Sequence, residues 1–251
     1  RSAPEHWPSG MPPTVTPAPS PTVTPTATPT LVPTTPPPTT QPPPAPTGWP
    51  GPDNTGIPAG TILSAYTGPT TITTAGTVID GKTFGCLTVR AANVVIRNSR
   101  QNCPSHVVGG LVMAGTNTLV EDSELIGTVN NAGCFTGSNY VLRRLNVHGC
   151  ADGGWTLSNT VVQDSWIHAL GTCPSCHNDG IQTTGATNIL IRHNRIDLNM
   201  PQTGCVKLGA EQAPLRDVTV QENLFNGGSY SLYAGGFGSN VSGIHILNNR
   251  W

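Results

Sequence analysis

One short pattern recurs seven times in this chain: an alternating apolar strand that closes on a turn residue. The copies are 94–99, 118–123, 140–145, 160–165, 189–194, 218–223 and 244–249, closing on Ser99, Ser123, Leu145, Ser165, Asn194, Asn223 and Asn249. These pivots recur in steps of 20 (Leu145 to Ser165) to 29 residues (Ser165 to Asn194). Two positions after each pivot from Ser123 onward stands an apolar residue: Leu125, Val147, Ile167, Ile196, Phe225 and Trp251. A glycine often precedes another short strand, at Gly85, Gly110, Gly154, Gly180 and Gly204. No segment has the i, i+3, i+4, i+7 spacing of an amphipathic helix. Three short β-branched strands per repeat cannot bury a face alone, but coils stacked about 4.8 Å apart can. Inward Ser and Asn at the pivots then form ladders that satisfy buried polar groups. A leucine-rich repeat lacks its Leu/Asn signature here, and propeller blades need about 40 residues or more. The pattern predicts an all-β chain, a single-stranded right-handed parallel β-helix of about seven or more coils over 49–251. The segment 48–65 reads as a cap at its start. Trp251 falls in mid-coil, so further coils are expected beyond it.

Alternation along each strand tells which side chains face out. Counting from the pivots, position +3 gives the column Ile126, His148, His168, Asp197, Asn226, and position +1 gives Glu124, Asn146, Trp166, Arg195, Leu224. If Ile181 points inward, Gln182 points out, and Lys207 lies beside it one coil on. The turns ahead of the first strands add Asp152, His177 and Asp179. These residues are expected to converge on one groove.

Such a set suits β-elimination from a uronate: a base, a cation to neutralise the carboxylate, and an acid at the leaving oxygen. Lys207, His168, His177 and Asp179 are the candidate catalytic residues. His148, Trp166, Gln182, Arg195 and Asp197 are candidates for holding substrate, Trp166 by stacking on a sugar face. Asp152 and Asp179 could hold Ca²⁺, a hard cation suited to carboxylate oxygens. Plainer readings stand beside these. His148 and His168 can be surface residues that happen to align, and Trp166 can cover a loop. Asp152 and Asp179, each before a glycine, can be turn formers, and Lys207 a solvated charge.

Composition places the repeat in its setting. Sixteen of the 40 residues from Met11 to Pro50 are proline and none is charged. Proline fixes φ and removes a donor, so 1–48 is expected to be a disordered Pro/Thr-rich linker, able to span roughly 100 Å. Net charge is −1 with 10% charged residues, which argues against nucleic-acid binding. No apolar run reaches the ~18 residues of a membrane span. Arg1 opens a polar segment, as in a processed or partial product.

The seven cysteines and the linker point to secretion. Cys103, Cys150, Cys173 and Cys176 fall in turns, and Cys86, Cys134 and Cys205 in first strands. Cys150, Cys173, Cys176 and His177 have the makings of a Cys₃His zinc site, but in an oxidising compartment disulfides pinning the long turn are preferred. Asn240-Val241-Ser242 is a glycosylation sequon.

The repeats at 160–165, 189–194 and 218–223, with Asp179-Gly180-Ile181-Gln182 ahead of a first strand, resemble the pectate-lyase-like superfamily of right-handed parallel β-helix polysaccharide enzymes. The similarity covers roughly 56–251 and is greatest to secreted actinobacterial members with Pro/Thr linkers. It implies a polysaccharide substrate, a tethered carbohydrate-binding module, a monomer, and an active site along the first-strand face. The chain departs from the superfamily's lyases in lacking their catalytic arginine and three-acid calcium cluster, and from its polygalacturonases in lacking their aspartate motifs. The run His177-Asn178-Asp179 is only loosely similar to the site of alginate epimerases. The expectation is a secreted lyase acting on an acidic glycan. Its rivals are a non-catalytic adhesin, glycan-binding or ice-binding module, and a glycoside hydrolase using Asp152 and Asp179.

Overall fold

The computed structural model describes residues 48–105, 108–130, 132–172, 177–198, 204–235 and 240–251. The expected linker, 1–48, falls outside them but for Gly48, as do Cys173 and Cys176. Every strand pairs in parallel with the strand one coil away, giving three sheets of eight strands. The first sheet runs from Thr71–Ile72 to Tyr230–Gly235, the second from Val78–Asp80 to Val241–Leu247, and the third from Ser64–Ala65 to Leu224–Gly227. The chain is therefore the expected parallel β-helix, with three faces.

The corners explain the turn residues. The residue just before each pivot is left-handed: Asn98, Asp122, Arg144, Asp164, His193, Glu222 and Asn248 all have φ between 47° and 54°. A second left-handed column, Asn93, Asn117, Asn139, Asn159 and Asn188, turns the first strands into the second. Asn and Asp tolerate this conformation better than other residues with a Cβ, because their short polar side chains bond locally. Outside, the amides of the second column bond one another along the axis, as from Asn117 to Asn93 at 2.7 Å.

Inside, the pivots form the expected ladder. The Ser165 N–H donates to Asn194 Oδ1 at 3.0 Å, Asn194 N–H to Asn223 Oδ1 at 2.9 Å, and Asn223 N–H to Asn249 Oδ1 at 2.9 Å. Leu145, the one apolar pivot, gives its N–H to Ser165 Oγ at 3.0 Å. Leu125, Val147, Ile167, Ile196 and Phe225 are all buried, as their spacing predicts. Each fully buried aliphatic side chain contributes about 1.5–3 kcal/mol.

Two disulfides close loops on this core, Cys86–Cys103 and Cys134–Cys150, with sequence separations of 17 and 16. Closing loops of that length restricts the unfolded chain by about 3 kcal/mol each. Cys150 is thus no zinc ligand. Cys205 is free and buried.

The segment 48–57 is not a cap. It lies as a strap along the corner between the second and third sheets. Gly56 N–H donates to the Arg144 carbonyl at 2.8 Å, Gly51 lies against the Arg195 guanidinium, and Trp49 stacks on His193 at 5.4 Å with Arg250 over its ring. Gly56 has φ +79°, and a Cβ there would meet Asn146 Cβ at 2.9 Å, so only glycine lets the strap lie this close.

Candidate active-site cleft

The register puts the predicted outward columns where alternation requires. His148 pairs with His168 and His168 with Asp197; Asn146 pairs with Trp166 and Trp166 with Arg195. On the first sheet, Gln182 pairs with Lys207. The two sets, however, line different surfaces.

The cleft is a cavity of about 690 Å³ on the first sheet. At the heads of its strands, Asp152, Asp179, Gly204 and Tyr230 follow one another coil by coil: Gly153 N–H donates to the Asp179 carbonyl, Gly180 N–H to the Gly204 carbonyl, and Gly204 pairs with Tyr230. Three residues further along each strand, Trp155, Gln182, Lys207 and Tyr233 form a second column. His177 and Ser229 complete the lining. Of the predicted residues, the cleft gathers Asp152, His177, Asp179, Gln182 and Lys207. Trp155, Tyr230 and Tyr233 come in addition. The signal for two of them was present: the Gln182–Lys207 column, extended by one coil each way, reaches Trp155 and Tyr233.

Asp152 is only 5% exposed. Its Oδ1 accepts the Asp179 N–H at 2.9 Å, and its Oδ2 accepts the Trp155 indole N–H at 2.6 Å and the Gln182 amide. Burial pushes its carboxyl up to about 7; the neighbouring Asp179 charge adds to this, and the three donors oppose it. Asp179 is also shifted upward by burial, opposed by the Gly204 N–H on its Oδ1 at 2.9 Å and by Lys207 and His177. A Cβ on residue 204 would press within 3.3 Å of that oxygen, so glycine there lets the backbone reach the carboxylate. Among the described residues, Oδ2 of Asp179 has no hydrogen-bond partner. Lys207 Nζ is held by Glu211 Oε1 at 2.8 Å. Tyr230 and Tyr233, 5.8 Å apart, remain open to solvent.

The donor set does not fit Ca²⁺. Three N–H groups already occupy Asp152, leaving it one acceptor position, and among the described residues no group of three His, Cys, Asp or Glu can hold a metal.

The remaining predicted residues stand on the third sheet and do not line the cavity. There Trp166 stacks on His168 at 3.5 Å, lies under the Arg195 guanidinium, and gives its indole N–H to Asp197 Oδ2 at 2.7 Å. The residue is half-buried, with His168 and Arg195 against its ring. His148 bonds Glu124 at 3.1 Å. His168 Nε2 donates to Asn146 Oδ1 at 2.8 Å, and burial, with the His148 charge, lowers its pKa to about 4. It is a neutral, committed imidazole.

No family model, curated protein or solved structure matches this chain.

Proposed function

We propose that the chain is a secreted carbohydrate-cleaving enzyme that hydrolyses a glycan in the first-sheet cleft through Asp152 and Asp179. The observation that supports it is the pair of buried carboxyls one coil apart, both shifted toward the protonated form, at the head of a cleft with aromatic walls. A carboxyl with a pKa of about 7 is still half protonated at neutral pH, as a general acid requires. Asp152 donates its proton to the glycosidic oxygen as the C–O bond breaks. Asp179, with Oδ2 open, either activates the water or attacks the anomeric carbon, and the configuration of the product separates these two uses. Trp155, Tyr230 and Tyr233 offer rings for sugar faces.

Charge favours a neutral glycan. Glu211 already offsets Lys207, which leaves Asp179 as a net negative charge in the cleft. A polyuronate would be repelled. Elimination from an acidic glycan, the chemistry of the pectate-lyase-like superfamily, is the second reading, supported by Lys207 and His177 on the cleft wall. The two disulfides suit an oxidising environment. With the Pro/Thr-rich segment, they support a secreted protein, for which a monomer tethered to a carbohydrate-binding module is the arrangement we propose.

The test is incubation with neutral and uronate polysaccharides, following new reducing ends and ultraviolet-absorbing unsaturated products. Reducing ends without unsaturation, lost in Asp179→Asn, are expected. Unsaturated products would establish the lyase, and binding without cleavage of any polymer would leave a non-catalytic module.

A further inference from the structure

Resting on that reading, we infer that Trp155 is a positioning residue: its indole N–H, together with the Gln182 amide, fills Oδ2 of Asp152 and confines the acid's transferable proton to Oδ1. A carboxylate offers about four acceptor positions, two on each oxygen. The Trp155 and Gln182 donors take both positions on Oδ2, and the Asp179 N–H takes one on Oδ1. Only the second position on Oδ1 remains among the described residues. A proton on Asp152 must sit there, on the oxygen that also holds the backbone of Asp179.

The same indole lines the cleft. A sugar face resting on Trp155 therefore bears on a ring whose N–H orients the acid, which couples substrate seating to the direction of proton delivery. Among the described residues, few titratable and charged groups face this network. Asp179 of the next coil acts on Asp152, while Lys207 and His177 act on Asp179. Trp166, one residue past Ser165 in the pattern's third strand rather than in a first strand, has the same indole-to-carboxylate bond to Asp197 but does not line the cleft.

Trp155→Phe keeps an aromatic face and removes the N–H; Gln182→Leu removes the other Oδ2 donor. Either variant frees a position on Oδ2 and destabilises the anion. The expected result in each is a kcat lowered roughly tenfold with KM nearly unchanged, and an alkaline limb of kcat/KM moved up by about one pH unit. Trp155→Ala, which also removes the ring, should raise KM. A second readout needs no substrate: infrared titration of the Asp152 carboxyl stretch, assigned by its loss in Asp152→Asn, should move upward in Trp155→Phe. If the limb and the infrared titration both stay at their wild-type positions, the inference is overturned. If the wild type cleaves no glycan, the proposed function fails on its own, and the infrared titration alone decides this one.

Discussion

The first-sheet cleft and the outer face of the third sheet are built alike and finish differently. Both stack carboxylates, an indole and imidazole-bearing or cationic residues in register, one coil above another. On the third sheet the side chains satisfy each other. Asp197 accepts from Trp166, Arg195 and Asn226, and Glu124 from Arg100 and His148. Both acids are held below their ordinary pKa values, although burial opposes the shift; the opposing contacts are led by the Asn226 amide at Asp197 and by the His148 ring at Glu124. In the cleft the balance is reversed. Asp152 and Asp179 are shifted upward by burial that their partners do not offset, and among the described residues one oxygen of Asp179 has no hydrogen-bond partner. A column of polar residues is thus structural when its charges are matched within the column. It becomes a candidate for chemistry when matching stops short.

That contrast can be broken most severely at the two aspartates. Asp179→Asn should lower cleavage by roughly 10²–10⁴-fold, while Asp197→Asn should leave kcat/KM within about twofold. Equal losses in the two variants would erase the distinction. Stability should show the opposite order. Asp197→Ala leaves the Trp166 and Arg195 donors unpartnered and should cost about 2–3 kcal/mol in denaturant unfolding; Asp179→Ala, removing a poorly compensated acid, should cost less.

The pH dependence sharpens the comparison further. A pKa raised in the folded state gives stability that is present below the unfolded value and lost as pH rises. Asp152 should therefore weaken the fold progressively between about pH 4 and 7, by at most about 1.4 kcal/mol per pH unit. Asp197 and Glu124, with lowered values, give stability present above the ordinary carboxylate range and lost as pH falls through their folded values. Thermal melts across pH should show the first slope in the wild type and a flatter profile in Asp152→Asn. The smallest effect is expected for His168→Gln. With its imidazole neutral down to about pH 4, the substitution should leave the pH profile of cleavage between 5 and 8 unchanged.

Much of this was legible because a solenoid turns sequence spacing into position. The columns Glu124-Asn146-Trp166-Arg195-Leu224 and Ile126-His148-His168-Asp197-Asn226 follow from the pivots by counting, and the pairing matches them residue for residue. Counting along the axis says nothing about the angle between faces. His168 and Asp179 are only 11 residues apart, but His168 ends a third strand while Asp179 lies just ahead of the next first strand, and the path of the turn between them cannot be read from alternation. Hence one groove was expected where two surfaces exist. The strap was hidden for another reason. Residues 48–57 carry no strand pattern, and their path is set by distant contacts with Arg144, His193 and Arg250.

That strap has a mechanical consequence. Tension applied at Trp49 enters the solenoid along the edge where the second and third sheets meet, through His193, Arg250 and the Arg144 carbonyl. That pull is shared among rungs from Arg144 to Arg250 before it reaches Ser64–Ala65, the strand that would otherwise be the first to unzip.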